Sequence, residues 1–151
     1  MTPIRSTRTE QGGASLEMVI LAPFMLALLM LMIAFARYAQ TTSTIDQAAR
    51  DGARAATAQN SRSGAPAAAA RAVTEVMGEA PKSCRSSTTT VPTMSDGAFA
   101  LPDPSDFEVE WVTVTVSCTV DLGDLFIMPL GAAKIERTFT SPVDRYRGYE
   151  Q

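Results

Sequence analysis

The sequence predicts an α+β protein. A long N-terminal transmembrane helix is extended by an amphipathic helix, and a small antiparallel β-sheet of about three strands, covered by helix, follows. Three observations carry this. Met18 to Ala36 (MVILAPFMLALLMLMIAFA) runs nineteen residues without a charge. Residues 37–60 repeat small residues at spacings of three and four, the period of a one-sided helix. Residues 107–122 (FEVEWVTVTVSCTVDL) alternate apolar and polar side chains, the period of a half-buried strand. The expected division is 1–12 as a cytoplasmic leader, 13–36 as the transmembrane helix and 37–151 as an extracytoplasmic head.

The apolar run comes first. As a helix it spans roughly 28 Å at about 1.5 Å per residue, close to the hydrocarbon thickness of a bilayer. Glu17 bounds it on one side and Arg37 on the other. It is apolar on every face, and the remaining chain is too polar to wrap it as a core helix. A secretory signal is the rival reading, because Ala34-Phe35-Ala36 fits a small-residue cleavage pattern. The run exceeds the usual signal core of about 7–15 residues, which favours a retained anchor. Arg5 and Arg8 outweigh Glu10 ahead of the span, and positive charge there favours a cytoplasmic N-terminus. The expected location is a bacterial cell membrane, single-pass, with the C-terminal domain outside.

Glu17 directly abuts the span, where a carboxylate is costly unless it finds a partner or stays at the interface. Cleavage after Gly12 would create an amine at Gly13, one helical turn from Glu17. Such an amine and carboxylate could pair within a chain or between neighbouring chains. The alternative is an interfacial glutamate that favours the helix dipole at its N-terminus. Pro23 lies inside the span, removes one backbone donor and is expected to bend the helix.

Beyond the span, Ile45, Ala48, Ala49, Gly52, Ala53 and Ala56 form one small-residue helix face, a surface that lets another backbone approach closely. Asp46 and Arg50 stand four apart and can pair. Gly64 and Pro66 punctuate the chain, and a second helix with Ala69, Val73, Val76 and Met77 on its apolar side runs to Gly78 and Pro81. Arg85 to Val91 reads as an exposed strand, and Asp96-Gly97 as a turn. In 107–122 the phase shifts at Trp111-Val112, which predicts a β-bulge or sharp twist. Val112, Val114, Val116, Cys118 and Val120 then face the core, with Thr113, Thr115, Ser117 and Thr119 opposite. The apolar tip Leu125 to Met128 reads as a plug for the sheet edge. Residues 133–141 give a last strand with Ile135 and Phe139 inward, and the tail from Pro142 reads as extended or frayed.

Composition narrows the chemistry. The chain has no histidine, which removes the commonest general base and the commonest zinc ligand together. A net charge of −3 leaves no basic footprint for nucleic acid. Asp96, Asp103 and Asp106 match no EF-hand spacing, and Pro102 and Pro104 interrupt them. No GxSxG elbow, phosphate loop or acid pair is present, and Glu108 with Glu110 reads as a solvated strand edge. Catalytic, cofactor and metal residues are therefore all expected to be absent. Cys84 and Cys118, 34 positions apart, fit either a disulfide in an oxidising compartment or two buried thiols.

The run GGASLEMVILAPFMLALLMLMIAFARYAQTTSTIDQAARDGARAA resembles the TadE-like family, minor pseudopilins of the tight-adherence (Tad, or Flp pilus) system. The residues that carry the resemblance are Gly12 to Glu17, Pro23 six positions on, and Ala48 to Ala56 in the pattern AAR-x-GAR-AA. One departure is Met18, where processed members usually carry Tyr or Phe. The resemblance implies a non-enzymatic pilin-like protein with its C-terminal part outside. It also implies cleavage after Gly12 by a prepilin peptidase, and partners among pilin-like subunits and Tad assembly proteins. The residues alone leave open a second class, a membrane-tethered or secreted extracellular binding domain, which a pocket with converging polar groups would favour.

Overall fold

The computed structural model describes residues 11–101, 108–121, 131–144 and 146, with the backbone alone for 11–16. The order of elements is α1 (Gln11–Thr57), α2 (Ala65–Met77), α3 (Lys82–Ser87), β1 (Thr89–Met94), β2 (Trp111–Asp121) and β3 (Ala132–Pro142). Contacts divide the chain into two units, Met1–Ala36 and Arg37–Gln151.

The described part of the first unit is helix. From Met18 to Phe35 its large apolar side chains are exposed all round, and the helix is long and apolar enough to cross a membrane. Pro23 lies inside it, and helical assignment continues on both sides.

The second unit is α+β. The sheet is antiparallel in the order β1-β2-β3. Its centre is β2, which alternates buried and half-exposed residues without a break. Val112, Val114, Val116, Cys118 and Val120 are buried together with Ile135 of β3. Against them pack Ile45, Ala48, Ala49, Ala53 and Ala56 of α1 and Ala65, Ala69, Val73 and Met77 of α2. Small side chains dominate the helical side of this core, so backbones come close. A Cβ added at Gly52 would lie 2.8 Å from Val73 Cγ2 and 3.3 Å from Val114 Cγ1. On the opposite face of the sheet, hydroxyls pair across strands: Thr113 with Thr140 at 2.7 Å and Thr115 with Thr138 at 2.9 Å. Side-chain pairs of this kind stabilise neighbouring strands.

Two expectations are corrected, and a third, open between an extended and a frayed tail, is decided at its first residues. Arg85 to Val91 is not one strand: α3 occupies Lys82–Ser87 and β1 starts at Thr89. Pro81 caps the start of this short helix. The hydroxyls of Ser87 and Thr88 donate back to Ser83 O and Cys84 O at 2.7 Å each, a local alternative to strand pairing.

No bulge occurs at Trp111-Val112. The ladder to β3 is continuous from Trp111↔Pro142 to Asp121↔Ala132. The change of phase marks instead where the strand begins, because Glu108 to Glu110 have no regular structure. Finally, the chain after Pro142 does not fray at once. Val143 is buried, and its N–H donates to Glu110 O at 2.9 Å. The leader residues 1–10, Asp103, Asp106, Phe107 and the tip Leu125 to Met128 lie outside the described residues.

Candidate assembly segment and head surfaces

The residues singled out in the N-terminal third fall on one helix. Gly12 and Gly13 lie at the start of α1, and Glu17 follows one turn after Gly13. The Glu17 side chain is exposed, and it is the only ionisable side chain between Gln11 and Ala36. The arrangement can do one thing electrostatically. It presents a single negative charge at one end of an otherwise uncharged apolar helix, available to a cation on the same or another chain.

From Arg37 the same helix becomes one-sided. Thr41, Ile45, Ala48, Ala49, Gly52, Ala53 and Ala56 are buried, at spacings of three and four. Thr41, 2% exposed, satisfies its hydroxyl by donating to Arg37 O at 2.8 Å. Asp46 and Arg50 form an ion pair of 2.9 Å on the outer side, and the Arg50 guanidinium lies 5.5 Å from the Phe139 ring centroid.

Cys84 of α3 and Cys118 of β2 are joined in a disulfide with Cα atoms 4.9 Å apart. Both are buried. Beside them the Ser87 hydroxyl accepts from Thr119 N–H at 2.8 Å, so α3 is tied to β2 by a covalent and a polar link.

A cleft of about 260 Å³ is lined by Arg37, Gln40, Thr41 and Thr44 of α1, with Glu79, Pro81, Val120 and Asp121. The sequence reading missed it, since its polar residues are scattered over three segments with no common spacing. Its charges are of both signs, and no buried side-chain nitrogen or oxygen lacks a partner among the described residues. Glu108 and Glu110 do not share a strand face. Glu110 accepts a hydrogen bond from the Ser95 hydroxyl and lies against Gly97, bracing the turn after β1. Among the described residues no group of three or more His, Cys, Asp or Glu could hold a metal ion.

No curated protein and no solved structure matches the chain. Residues 12–54, the stretch that holds Gly12, Glu17, Pro23 and the start of the small-residue stripe, match the family model described as TadE-like protein, the family this segment resembles in sequence.

Proposed function

We propose that this chain is a single-pass, pilin-like subunit acting without catalysis in the assembly of a Tad/Flp-type pilus or secretion apparatus. The observation that carries the reading is the TadE-like match over 12–54 falling on a helix able to cross a membrane. In this reading the N-terminus is cytoplasmic and the head lies outside. A prepilin peptidase cuts after Gly12, and the new Gly13 amine becomes available to Glu17 of the same or a neighbouring chain. A carboxylate at the edge of hydrocarbon is unfavourable alone and favourable when paired, so Glu17 sets the axial register of one helix against the next. Pro23 adjusts the helix path six residues further on. The partners are other pilin-like subunits and Tad assembly proteins.

The test is Glu17→Ala in the native membrane. Insertion is expected to be unchanged, because removing a charge does not hinder a span. Recovery with tagged assembly partners is expected to fall at least tenfold. Recovery equal to wild type would end the registration role. Intact mass and N-terminal sequencing of the membrane-extracted protein separate the remaining alternatives: a start at Gly13 supports processing, and a start at Arg37 would mean a released head.

A further inference from the structure

The sheet has two edges, and they are not alike. The backbone phase follows from two hydrogen bonds just beyond the ladders. Ser95 N–H donates to Trp111 O at 3.1 Å, and Val143 N–H donates to Glu110 O at 2.9 Å. In an antiparallel ladder such pairs alternate. Trp111, Thr113 and the other odd-numbered residues of β2 therefore turn their backbone groups to β1, and the even-numbered ones to β3. Through the β2–β3 register, Ala133, Ile135, Arg137, Phe139 and Ser141 point at β2. Lys134, Glu136, Thr138 and Thr140 direct N–H and C=O outward.

The same phase places Pro92, opposite Val114, with its ring nitrogen on the outer edge of β1. A proline there loses no ladder bond and blunts the edge. That edge is also six residues long and approached by α2. The β3 edge runs eleven residues with no proline before Pro142. Among the described residues no backbone hydrogen bond reaches its outer side; the outward Glu136 C=O accepts from the exposed Arg137 guanidinium at 2.9 Å, a side-chain contact that a pairing strand would replace.

We propose that the β3 edge pairs antiparallel with β3 of a second copy of this chain. Outward-pointing residues must face one another, so the two-fold centres on a residue and not between two, and among these registers only the one centred on Ile135 sets Lys134 opposite Glu136. Centring on Lys134 or on Glu136 sets like charges opposite each other. Centring on Ile135 sets Lys134 against Glu136 of the second copy and Glu136 against its Lys134. These two residues already form an ion pair of 3.0 Å on the exposed face, so pairing assembles a closed square of alternating charge. Thr138 then faces Ala132 of the second copy, and the two Ile135 residues meet at the centre. This inference goes beyond the proposed pilus role and does not depend on Glu17.

The experiment uses the full chain. Lys134→Cys and Glu136→Cys are made singly, carry different tags, and are mixed in detergent and in membranes under mild oxidation. The native cysteines are both in the disulfide, so the introduced thiols are the free ones. Cross-linking between Lys134→Cys and Glu136→Cys chains is expected to exceed that within either variant alone by at least fivefold. Thr138→Pro, which removes an outward N–H and none directed at β2, is expected to abolish it. Charge reversal at Lys134→Glu alone should lower the dimer fraction, and the double exchange Lys134→Glu with Glu136→Lys should restore it. Equal cross-linking in all combinations, or capture only of a different protein by the Lys134→Cys thiol, would overturn the proposal. Because the readout is a β3-specific bond, its failure leaves the Glu17 result unaffected.

Discussion

Gly52 offers the sharpest test of how the head is packed. It sits in the middle of a helix, where alanine is intrinsically better by about 1 kcal/mol. On an open helix face Gly52→Ala would therefore stabilise the protein. Here the new methyl would lie 2.8 Å from Val73 Cγ2 and 3.3 Å from Val114 Cγ1. Both neighbours are β-branched, one on a helix and one on a strand, so neither can swing aside cheaply. Overpacking of this kind costs about 1–3 kcal/mol. Set against the propensity gain, the overpacking leaves Gly52→Ala destabilising by up to about 2 kcal/mol and not stabilising. Val73→Ala alone opens a cavity and is expected to cost about 1–3 kcal/mol. In that background the Gly52→Ala methyl meets space where Val73 Cγ2 was, so its effect should become neutral or stabilising. The propensity gain cancels in the cycle, so the coupling expected is the relieved overpacking, about 1–3 kcal/mol, within the range for residues in contact. Urea unfolding of the full chain in detergent micelles, followed by the fluorescence of Trp111, the single tryptophan, gives all four corners. A stabilising Gly52→Ala in the wild-type background, unchanged by Val73→Ala, would refute the close approach of α1 to α2 and β2.

Replacing both Cys84 and Cys118 by alanine is expected to lower stability by about 3–4 kcal/mol, from the loop-closure entropy of a 34-residue separation; the urea midpoint measures it. Ser87→Ala removes the acceptor of Thr119 N–H in a partly buried place and should cost about 1–2 kcal/mol, with the disulfide intact on a non-reducing gel. Asp46→Ala breaks an ion pair whose members are 38% and 53% exposed, so it should cost less than about 0.5 kcal/mol. Arg50→Ala should cost more, about 1 kcal/mol, because the Phe139 contact is lost as well. Equal effects at the two positions would mean that the ring contact contributes nothing.

The elements most legible in the sequence were those set by a single period. An uncharged run with no polar face pointed to a helix, whether anchor or signal, and the alternation from Val112 to Val120 placed the core side of β2 residue by residue. The small-residue stripe of α1 was legible for the same reason, although not what it faces. What escaped was set by contacts distant in sequence. Arg85 to Val91 reads as one strand because of its β-branched end, Thr88 to Val91, yet hydroxyl back-bonding and the disulfide hold Lys82 to Ser87 as a short helix. The buried Val143 gave no periodic signal, since its burial follows from an N–H bonded to Glu110 across the sheet. Phe99 is buried with a φ of 68°, a conformation that non-glycine residues seldom adopt and that no pattern predicts. Of the site residues, Glu17 stood out by charge alone, and the edge of β3 needed the register before its outward groups could be counted.

The TadE-like segment, residues 12–54, covers two stretches of one helix constrained by different physics. From Met18 to Phe35 the side chains are large, apolar and exposed, so what matters is transfer free energy, and one aliphatic residue can replace another. After Ile45 the inward positions Ala48, Ala49, Gly52, Ala53 and Ala56 are Ala or Gly and all buried, so what matters is volume. The two halves should therefore answer oppositely to the same kind of change. Leu28→Ile is expected to leave both membrane insertion and unfolding unchanged. Ala49→Leu adds three heavy atoms where Ala49 is 0% exposed and should cost at least about 3 kcal/mol, at the upper end of overpacking. Membrane fractionation and urea unfolding of the two variants decide the matter. If Ala49→Leu unfolds like wild type, the stripe is not a packed interface, and the head must be held together by β2 and its disulfide without α1.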